Sequence, residues 1–169
     1  MAAIIGLKGA FRTLLSYDGN TPGEGDELGV IRHEIDGLTS GMKSYRFVQV
    51  ADTSAAVANG TVVTFSDVYG REVTTDISET DQNFVAGVGI GVITPGNSGW
   101  IQVYGHHAAV KTNGDDDVAA GDMLIVDSTT DGTANSVTAG TAPTHKTIGV
   151  AVAADVDADD TVAAFISCL

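Results

Sequence analysis

Residues 84–104 read FVAGVGIGVITPGNSGWIQVY, and this stretch decides the fold class. Small and β-branched residues alternate with a period of two in its first half, a spacing typical of a strand and not of a helix. Residues 100–104 alternate again, and the glycine-rich residues 96–99 between the two halves are turn-forming sequence. The stretch therefore predicts two strands joined by a hairpin connection.

The glycines of this stretch also predict a packing arrangement. Gly87, Gly89 and Gly91 would lie on one face of a strand, with Val88 and its apolar neighbours on the other. A strand glycine costs about 0.5–1 kcal/mol relative to alanine, so three in alternation need a compensating contact. We expect another backbone or a neighbouring subunit to approach this face closely.

The same strand-like alternation recurs on both sides of this stretch. Further strands are predicted at residues 45–50, 61–66, 72–76, 108–112, 122–127, 136–139, 146–153 and 161–168. Two turns, ANG at 58–60 and AAG at 119–121, place glycine where a positive φ is needed before a strand. About ten short strands at roughly 8–12-residue spacing predict an all-β sandwich or barrel.

Two segments of the chain resemble each other. Residues 57–67 read VANGTVVTFSD and residues 118–128 read VAAGDMLIVDS, an offset of 61 residues. Residues 88–90 (VGI) are echoed by residues 148–150 (IGV), at an offset of 60. The pattern indicates two related β units in one body, and chance similarity between glycine-rich strands is the alternative.

The first 44 residues differ in character from the rest and are predicted to form an N-terminal arm and loop, with the β body spanning residues 45–169. Apolar residues in the first part are interrupted by Gly6 and Gly9, and residues 17–29 (YDGNTPGEGDELG) are turn-forming throughout. Such a segment cannot bury itself well alone, so we expect it to be extended and to contact a partner. The alternative is an edge strand added to its own domain.

Charge is distributed unevenly along this acidic chain, which has a formal net charge of −14 and a pI near 4.2. Residues 1–46 carry five bases and six acids, whereas residues 47–169 carry three bases and sixteen acids. The overall acidity argues against nucleic-acid and anionic-membrane partners, which need a basic face. The nearly neutral first quarter is the predicted contact region. Its candidate contact residues are Ile4, Ile5, Leu7, Lys8, Phe11, Arg12, Leu14, Leu15, Arg32, Lys43 and Arg46.

We find no pattern that predicts catalysis, a cofactor or a specific metal site. Ser98 lies in a weak Gly-x-Ser-Gly match and needs a base, such as His33, oriented by an acid such as Asp52 or Asp67. A solvated turn is the simpler interpretation of the acidic runs at 115–117 and 155–160, with adventitious divalent binding as the alternative. The chain is therefore predicted not to be an enzyme.

Neighbouring strand residues point to opposite faces, so His106 and His107 are expected to split into one packed and one exposed side chain. Cys168, the single cysteine, is predicted to be a buried strand residue. No signal peptide or membrane span is predicted.

The C-terminal half resembles the capsid cement, or head decoration, proteins of tailed bacteriophages. The resemblance lies in the order of short segments over residues 85–169, and residues 1–56 take no part in it. These segments are residues 110–112 (VKT), 118–124 (VAAGDML), 148–153 (IGVAVA) and 160–169 (DTVAAFISCL).

The resemblance implies a compact β-barrel or β-tulip-like body that binds the outside of the assembled major-capsid lattice and stabilises the phage head. It also implies a homo-oligomer, with a trimer favoured. The protein would be made in the bacterial host cytoplasm and carried on the outer surface of the virion capsid. Two alternatives remain, another virion β-module such as a tail tube or fibre, and a carbohydrate-binding or adhesion domain.

Overall fold

A computed structural model describes residues 28–36, 41–76, 84–114, 117–143, 146–155 and 160–168. These residues form ten strands and no helix, so the predicted all-β class is confirmed. The strands are β1 (Ile31–Asp36), β2 (Gly41–Val50), β3 (Val62–Phe65), β4 (Glu72–Thr74), β5 (Val85–Gly89), β6 (Ser98–Lys111), β7 (Met123–Val126), β8 (Ala134–Val137), β9 (Thr147–Ala151) and β10 (Thr161–Ser167).

Five strand segments close a first ring of hydrogen-bonded neighbours. Strand β2 runs parallel to β4 and antiparallel to β6, and β3 and β5 complete the circuit through antiparallel pairings. Only the first part of β6, from Ser98 to Tyr104, pairs with β2. The ring leaves none of its strands with a long free edge, which limits unwanted pairing with other chains.

The second part of β6 belongs to a second ring. It pairs with β10, which pairs with β9, and β7 and β8 follow in order. A parallel bridge between Thr112 and Ala134 joins the end of β6 to β8 and closes this circuit. One 14-residue strand is therefore shared by both rings.

The two rings have the same scheme of pairings. In the first ring β3 shifts register against β5, and in the second ring β7 shifts register against β9 at the corresponding position. The pairs around the shift are Val63–Gly87 and Thr64–Val85 in the first ring, and Leu124–Gly149 and Ile125–Thr147 in the second. Thus 61 residues separate Val63 from Leu124, and 62 separate Gly87 from Gly149.

Isolated bridges repeat at the same spacing. Val57 bridges Ile93 beside the first ring, and Val118 bridges Asp155 beside the second. The turns before β3 and β7 also match, since Gly60 and Gly121 have φ values of 81° and 97°. The positive φ predicted for both glycines is confirmed.

One apolar cluster runs through both rings. Its fully buried members include Val48, Val63 and Ile101 in the first ring and Leu124, Ile148 and Ile166 in the second. Because this core is continuous, neither ring has an independent interior. A separate cluster of Tyr45, Phe47 and Trp100 packs with Leu28 and Ile90.

The structure differs from the sequence-based boundaries at two places. Residues 31–36 form β1, and β2 begins at Gly41, so the strand-built body starts before residue 45. The β1 sequence IRHEID is mostly polar, so its composition gives little indication of a strand. Its pairing with β2 holds it in place. The strands predicted at 100–104 and 108–112 are parts of the single strand β6, because Gly105, at φ 97°, bends it without ending it.

The predicted close approach to the glycine face holds for two of the three glycines. A Cβ added at Gly87 would collide with the Gln102 carbonyl, and one at Gly89 would lie 2.6 Å from Val57 Cγ1. Strand β5 ends at Gly89, and a Cβ at Gly91 would meet nothing within 4 Å. Packing therefore explains the first two glycines and not the third.

Candidate interaction surfaces

The structure separates Ser98 from the histidine considered as its base. Ser98 begins β6 and pairs with Gln49 at one end of the β2–β6 ladder, whereas His33 Nδ1 lies 2.7 Å from Ser44 Oγ, near the other end. Gln49 lies five positions along β2 from Ser44, which corresponds to about 17 Å along a strand. A Ser98–His33 pair is therefore not formed. The turn predicted at residues 96–99 lies earlier in the chain, at residues 95–96 with Gly96 at φ 77°, because Ser98 and Gly99 already belong to β6.

Asp67 organises a loop. Its Oδ1 accepts the backbone N–H groups of Arg71 at 2.8 Å and Glu72 at 3.2 Å, and its Oδ2 lies 3.6 Å from Arg71 Nε. Partial burial raises the pKa of Asp67, but these hydrogen bonds and the Arg71 charge outweigh it, so the net pKa is lowered. Asp67 is therefore an ionised structural residue of this loop.

Of the two adjacent histidines, His107 is buried, as predicted for one of them, whereas His106 is half-buried and not fully exposed. The His107 ring is held in one neutral form, because Nε2 donates to the Gly89 carbonyl at 3.2 Å and Nδ1 accepts the Ala109 N–H at 3.2 Å. Burial lowers the pKa of His107, and the charges of Lys43 and His106 lower it further.

Cys168 is buried, as predicted, and its thiol donates to the Ile148 carbonyl at 3.3 Å. Burial raises the pKa of Cys168 to about 12, which makes the thiolate scarce at neutral pH. Cys168 therefore serves as a small core residue that links the end of the chain to β9.

The acidic runs are only partly described. Residues 115, 116 and 156–159 lie outside the described residues, whereas Asp155 is buried and accepts the Thr112 hydroxyl at 3.2 Å. Across the part of the chain that the structure describes, no three His, Cys, Asp or Glu side chains are grouped to hold a metal ion.

Eight of the predicted contact residues cannot be placed. Ile4, Ile5, Leu7, Lys8, Phe11, Arg12, Leu14 and Leu15 lie outside the described residues. The other three, Arg32, Lys43 and Arg46, all lie on the β1–β2 hairpin. The guanidinium of Arg32 stacks 5.2 Å from the centre of the Trp100 ring, and Lys43 pairs with Glu34 across the ladder.

The β1–β2 hairpin extends past the ladder that β2 makes with β6. That ladder begins at Ser44, so Gly41–Lys43 lie beyond it. Ile35 and Met42 face each other across the hairpin and are both exposed. The hairpin therefore presents an apolar pair that is flanked by Glu34 and Asp36 on β1 and by Lys43 on β2.

A second apolar surface lies at the loop between β3 and β4. Phe65, Val68, Tyr69 and Phe84, with residues 66, 67 and 70, line a concavity of about 550 Å³, which we term the loop groove. Val68 is 93% exposed and Tyr69 75% exposed. Arg46 stacks 5.1 Å from the centre of the Phe65 ring, and burial lowers the pKa of this arginine.

A third apolar surface crosses the outer face of the second ring. Five of its members are neighbours on β7, β9, β10 and β6, and Val152 follows the end of β9. We term these six residues the outer stripe: Met123, Val150, Phe165, Tyr104, His106 and Val152. Val150 is 41% exposed and Phe165 40% exposed, and the Tyr104 and Phe165 rings meet edge to face with centroids 5.1 Å apart. None of the six residues carries an acidic or permanently charged group, which is unusual on so acidic a chain.

Sequence reasoning did not identify the loop groove or the outer stripe. Strand alternation does not show whether a given valine faces the core or the solvent, so the sequence did not indicate that Val150 is exposed. Residues 67–71 (DVYGR) lie between two predicted strands, and their two consecutive apolar residues in a turn are an anomaly that the sequence does show.

Comparisons with known proteins give no further assignment. No protein-family model matches the chain, and no curated protein shows significant similarity to it. None of the described residues forms a helix with the length and apolar character needed to cross a membrane.

Proposed function

We propose that the chain is a head-decoration protein that binds the outside of a phage capsid and stabilises it. The observation that carries this proposal is the ordered resemblance over residues 85–169 to capsid cement proteins. The segment at 118–124 leads into β7, and the segments at 148–153 and 160–169 contain most of β9 and all of β10, so these three segments belong to the second ring.

The division of charge supports the proposal. The contact region would be the nearly neutral first quarter, which includes the β1–β2 hairpin with Ile35 and Met42 exposed. The acidic remainder would face solvent and keep neighbouring copies apart at close range, since the Debye length at physiological salt is about 8 Å.

The affinity would come mainly from burying apolar side chains. At roughly 25 cal/mol per Å², burial of Phe11, Leu14 and Leu15 contributes several kcal/mol before the cost of ordering the segment. The basic residues of the first quarter would orient the chain on an acidic capsid surface more than they would tighten binding.

The test is co-sedimentation of the purified protein with expanded capsids of the phage that encodes it. A deletion of residues 1–27 removes most of the expected contact region but keeps Leu28, which packs on the Tyr45–Phe47–Trp100 cluster, and Gly29, whose N–H donates to the Phe47 carbonyl at 2.7 Å. We expect saturable binding of the full chain and at least tenfold weaker binding of the truncated chain, with unchanged circular dichroism.

A matched pair of full-length variants separates apolar contact from chain length. Phe11→Ser with Leu14→Ser should weaken capsid binding, whereas Thr13→Ala with Ser16→Ala should not. Equal capsid binding by the truncated and full chains would refute the role of the first segment. Failure of the full chain to bind capsids would refute the decoration function itself.

A further inference from the structure

The loop between β7 and β8 contains a buried carboxylate with one unsatisfied oxygen. Asp127 follows β7 and is fully buried. Its Oδ1 accepts hydrogen bonds from the Thr129 hydroxyl at 2.7 Å, from the Thr130 N–H at 3.1 Å and from the Thr129 N–H. Its Oδ2 is also buried but accepts no hydrogen bond from any residue that the structure describes. A buried charged oxygen without a partner is costly, so this atom calls for a ligand.

A second buried aspartate near the same strand shows what Asp127 lacks. Asp122 lies just before β7 and is 6% exposed. Its Oδ2 accepts the Ala119 N–H at 3.0 Å, and its Oδ1 accepts the Ala139 N–H at 2.9 Å. Both oxygens are thus satisfied within the chain, as is usual for buried polar groups. Asp127 instead uses one oxygen for three hydrogen bonds and leaves the other without a donor.

The first ring contains a loop that is closed in the same way. In the second ring the Asp127 N–H donates to the Thr133 carbonyl at 3.1 Å, and in the first ring the Ser66 N–H donates to the Glu72 carbonyl at 3.1 Å. Each end of one loop lies 61 residues from the matching end of the other, which is the offset of the paired strands. The two loops are therefore equivalent, and their charges can be compared position by position.

The loop of the first ring contains its own cation, and the loop of the second ring does not. Arg71 Nε lies 3.6 Å from the carboxylate of Asp67 and neutralises it. The position of Arg71 corresponds to Gly132, which has a φ of 72°. A Cβ at Gly132 would also lie 2.9 Å from Thr61 Cγ2, so an arginine there would strain the second loop. The fold therefore favours a cation from outside the chain at this place.

The sequence of the second loop has oxygen-bearing side chains at the spacing of a calcium loop. Residues 127–133 read DSTTDGT, with no basic residue among them. Asp127, Thr129 and Asp131 occupy the first, third and fifth positions of such a loop, and Gly132 occupies the sixth. The third position has a hydroxyl where an acid or amide is usual, and the twelfth, Thr138, lacks the bidentate carboxylate. The match therefore covers the first half of the motif.

We propose that residues 127–133 bind one Ca²⁺ ion through the buried Oδ2 of Asp127. Asp131, which is exposed, supplies a second carboxylate, and hydroxyl, carbonyl and water oxygens complete the coordination. Ca²⁺ accepts 6–8 oxygens in a flexible geometry, whereas Mg²⁺ demands a near-ideal octahedron and retains its water. In the described residues no three His, Cys, Asp or Glu side chains are grouped to hold a metal ion, so the site has at most two carboxylates. We therefore expect a dissociation constant of about 10⁻⁴–10⁻³ M.

The bound ion would stabilise the junction between the two rings. The Gly132 N–H donates to the Thr75 carbonyl at 3.1 Å, and the Gly132 carbonyl accepts the Val62 N–H at 2.8 Å. The loop that binds the ion thus holds the start of β3 and the residue after β4. Because one core runs through both rings, an ion that fixes this loop stabilises the whole body.

The test measures Ca²⁺ binding and thermal unfolding of the full chain after treatment with a chelator. Isothermal titration calorimetry should detect saturable Ca²⁺ binding, and Ca²⁺ at about 100 times its dissociation constant should raise the unfolding midpoint by about 5–10 °C. Asp127→Asn keeps the shape and the Oδ1 acceptor but replaces Oδ2 by an amide nitrogen, which cannot bind a cation. Its midpoint should rise no more in Ca²⁺ than in the same concentration of Mg²⁺.

Two further variants make the test specific. Asp52→Asn removes a negative charge from an exposed position beside Gly96 in the first ring, so it should keep the native response to Ca²⁺. Asp131→Asn changes an exposed residue and should fold, and it should weaken Ca²⁺ binding by tenfold or more. This variant decides the question if Asp127→Asn does not fold.

Three results would overturn the proposal. The first is a native chain without saturable Ca²⁺ binding, and the second is a native midpoint that Mg²⁺ raises as much as Ca²⁺ does, which indicates charge screening alone. The third is Ca²⁺ binding that is unchanged in Asp127→Asn or in Asp131→Asn, which would place the ion elsewhere, as in the acidic runs at 115–117 and 155–160. None of these measurements involves capsids, so the proposed function keeps its own test.

Discussion

At the scale of single residues, the chain uses buried polar groups for structure. His107 is the clearest case, because both ring nitrogens are satisfied only when the imidazole is neutral. A proton on Nδ1 would face the Ala109 N–H and abolish that hydrogen bond. The fold therefore opposes protonation, which agrees with the lowered pKa of His107.

This arrangement predicts a dependence of stability on pH. Because the unfolded chain takes up a proton near pH 6.5 and the folded chain does so only at lower pH, the free energy of unfolding falls as the pH drops below about 6.5. His107→Gln cannot titrate, so it should lack this contribution. Urea unfolding at pH 7.5 and 5.5 measures the free energy of unfolding of the native chain and of His107→Gln. If both chains lose the same free energy of unfolding between these pH values, His107 does not have the lowered pKa.

Sequence reasoning was most successful for residues whose role follows from strand alternation or turn chemistry. It predicted the burial of one of the two adjacent histidines, the buried Cys168 and the positive φ of Gly60 and Gly121. It was less successful where the role depends on distant parts of the chain. The glycine alternation predicted a close approach at Gly89, but it could not identify the Ala58 carbonyl as the group that passes beside it.

At the scale of elements, β6 is the strand on which the body is built. It pairs with β2 of the first ring up to Tyr104 and with β10 of the second ring from Tyr104 onward, and the bend at Gly105 turns three carbonyl groups toward one side chain. Gln102 Nε2 donates to the carbonyls of Tyr104, Gly105 and His106 at 3.2, 2.9 and 3.1 Å.

Removing this donor should destabilise the whole body. Gln102→Leu keeps a similar volume but leaves buried carbonyls without their donor, which costs about 1–3 kcal/mol of unfolding free energy. The Trp100 fluorescence and the far-ultraviolet circular dichroism should still change at one urea midpoint, shifted to lower concentration. An unshifted midpoint would show that the bend does not need Gln102, and two separated midpoints would show that the rings unfold independently.

Element positions were largely predictable because most strands alternate apolar and polar residues. Two errors have physical causes. The predicted break between residues 104 and 108 reflects Gly105, which sequence alone cannot distinguish from a turn glycine. Strand β1 was missed because only its pairing with β2, and not an apolar face of its own, holds it in place.

At the scale of the whole molecule, two rings with the same pairing scheme share one strand and one core. The match between residues 57–67 and 118–128 has the same 61-residue offset as Val63 and Leu124 in the ladders. The arrangement of the rings was not predictable, because it depends on contacts between distant segments, such as the hydrogen bond from the Val62 N–H to the Gly132 carbonyl.

The proposed function gives the two parts of the chain separate roles. The nearly neutral first quarter would contact the capsid, whereas the acidic remainder would face solvent. This division places most of the negative charge away from the shell and keeps neighbouring copies apart at close range.

Electron cryomicroscopy of intact particles, compared with particles that lack the gene for this chain, tests the decoration function most directly. We predict additional density on the outside of the head, into which the two-ring body of residues 28–168 fits with the β1–β2 hairpin toward the shell. Density confined to the tail, or heads that are identical with and without the gene, would contradict the proposal.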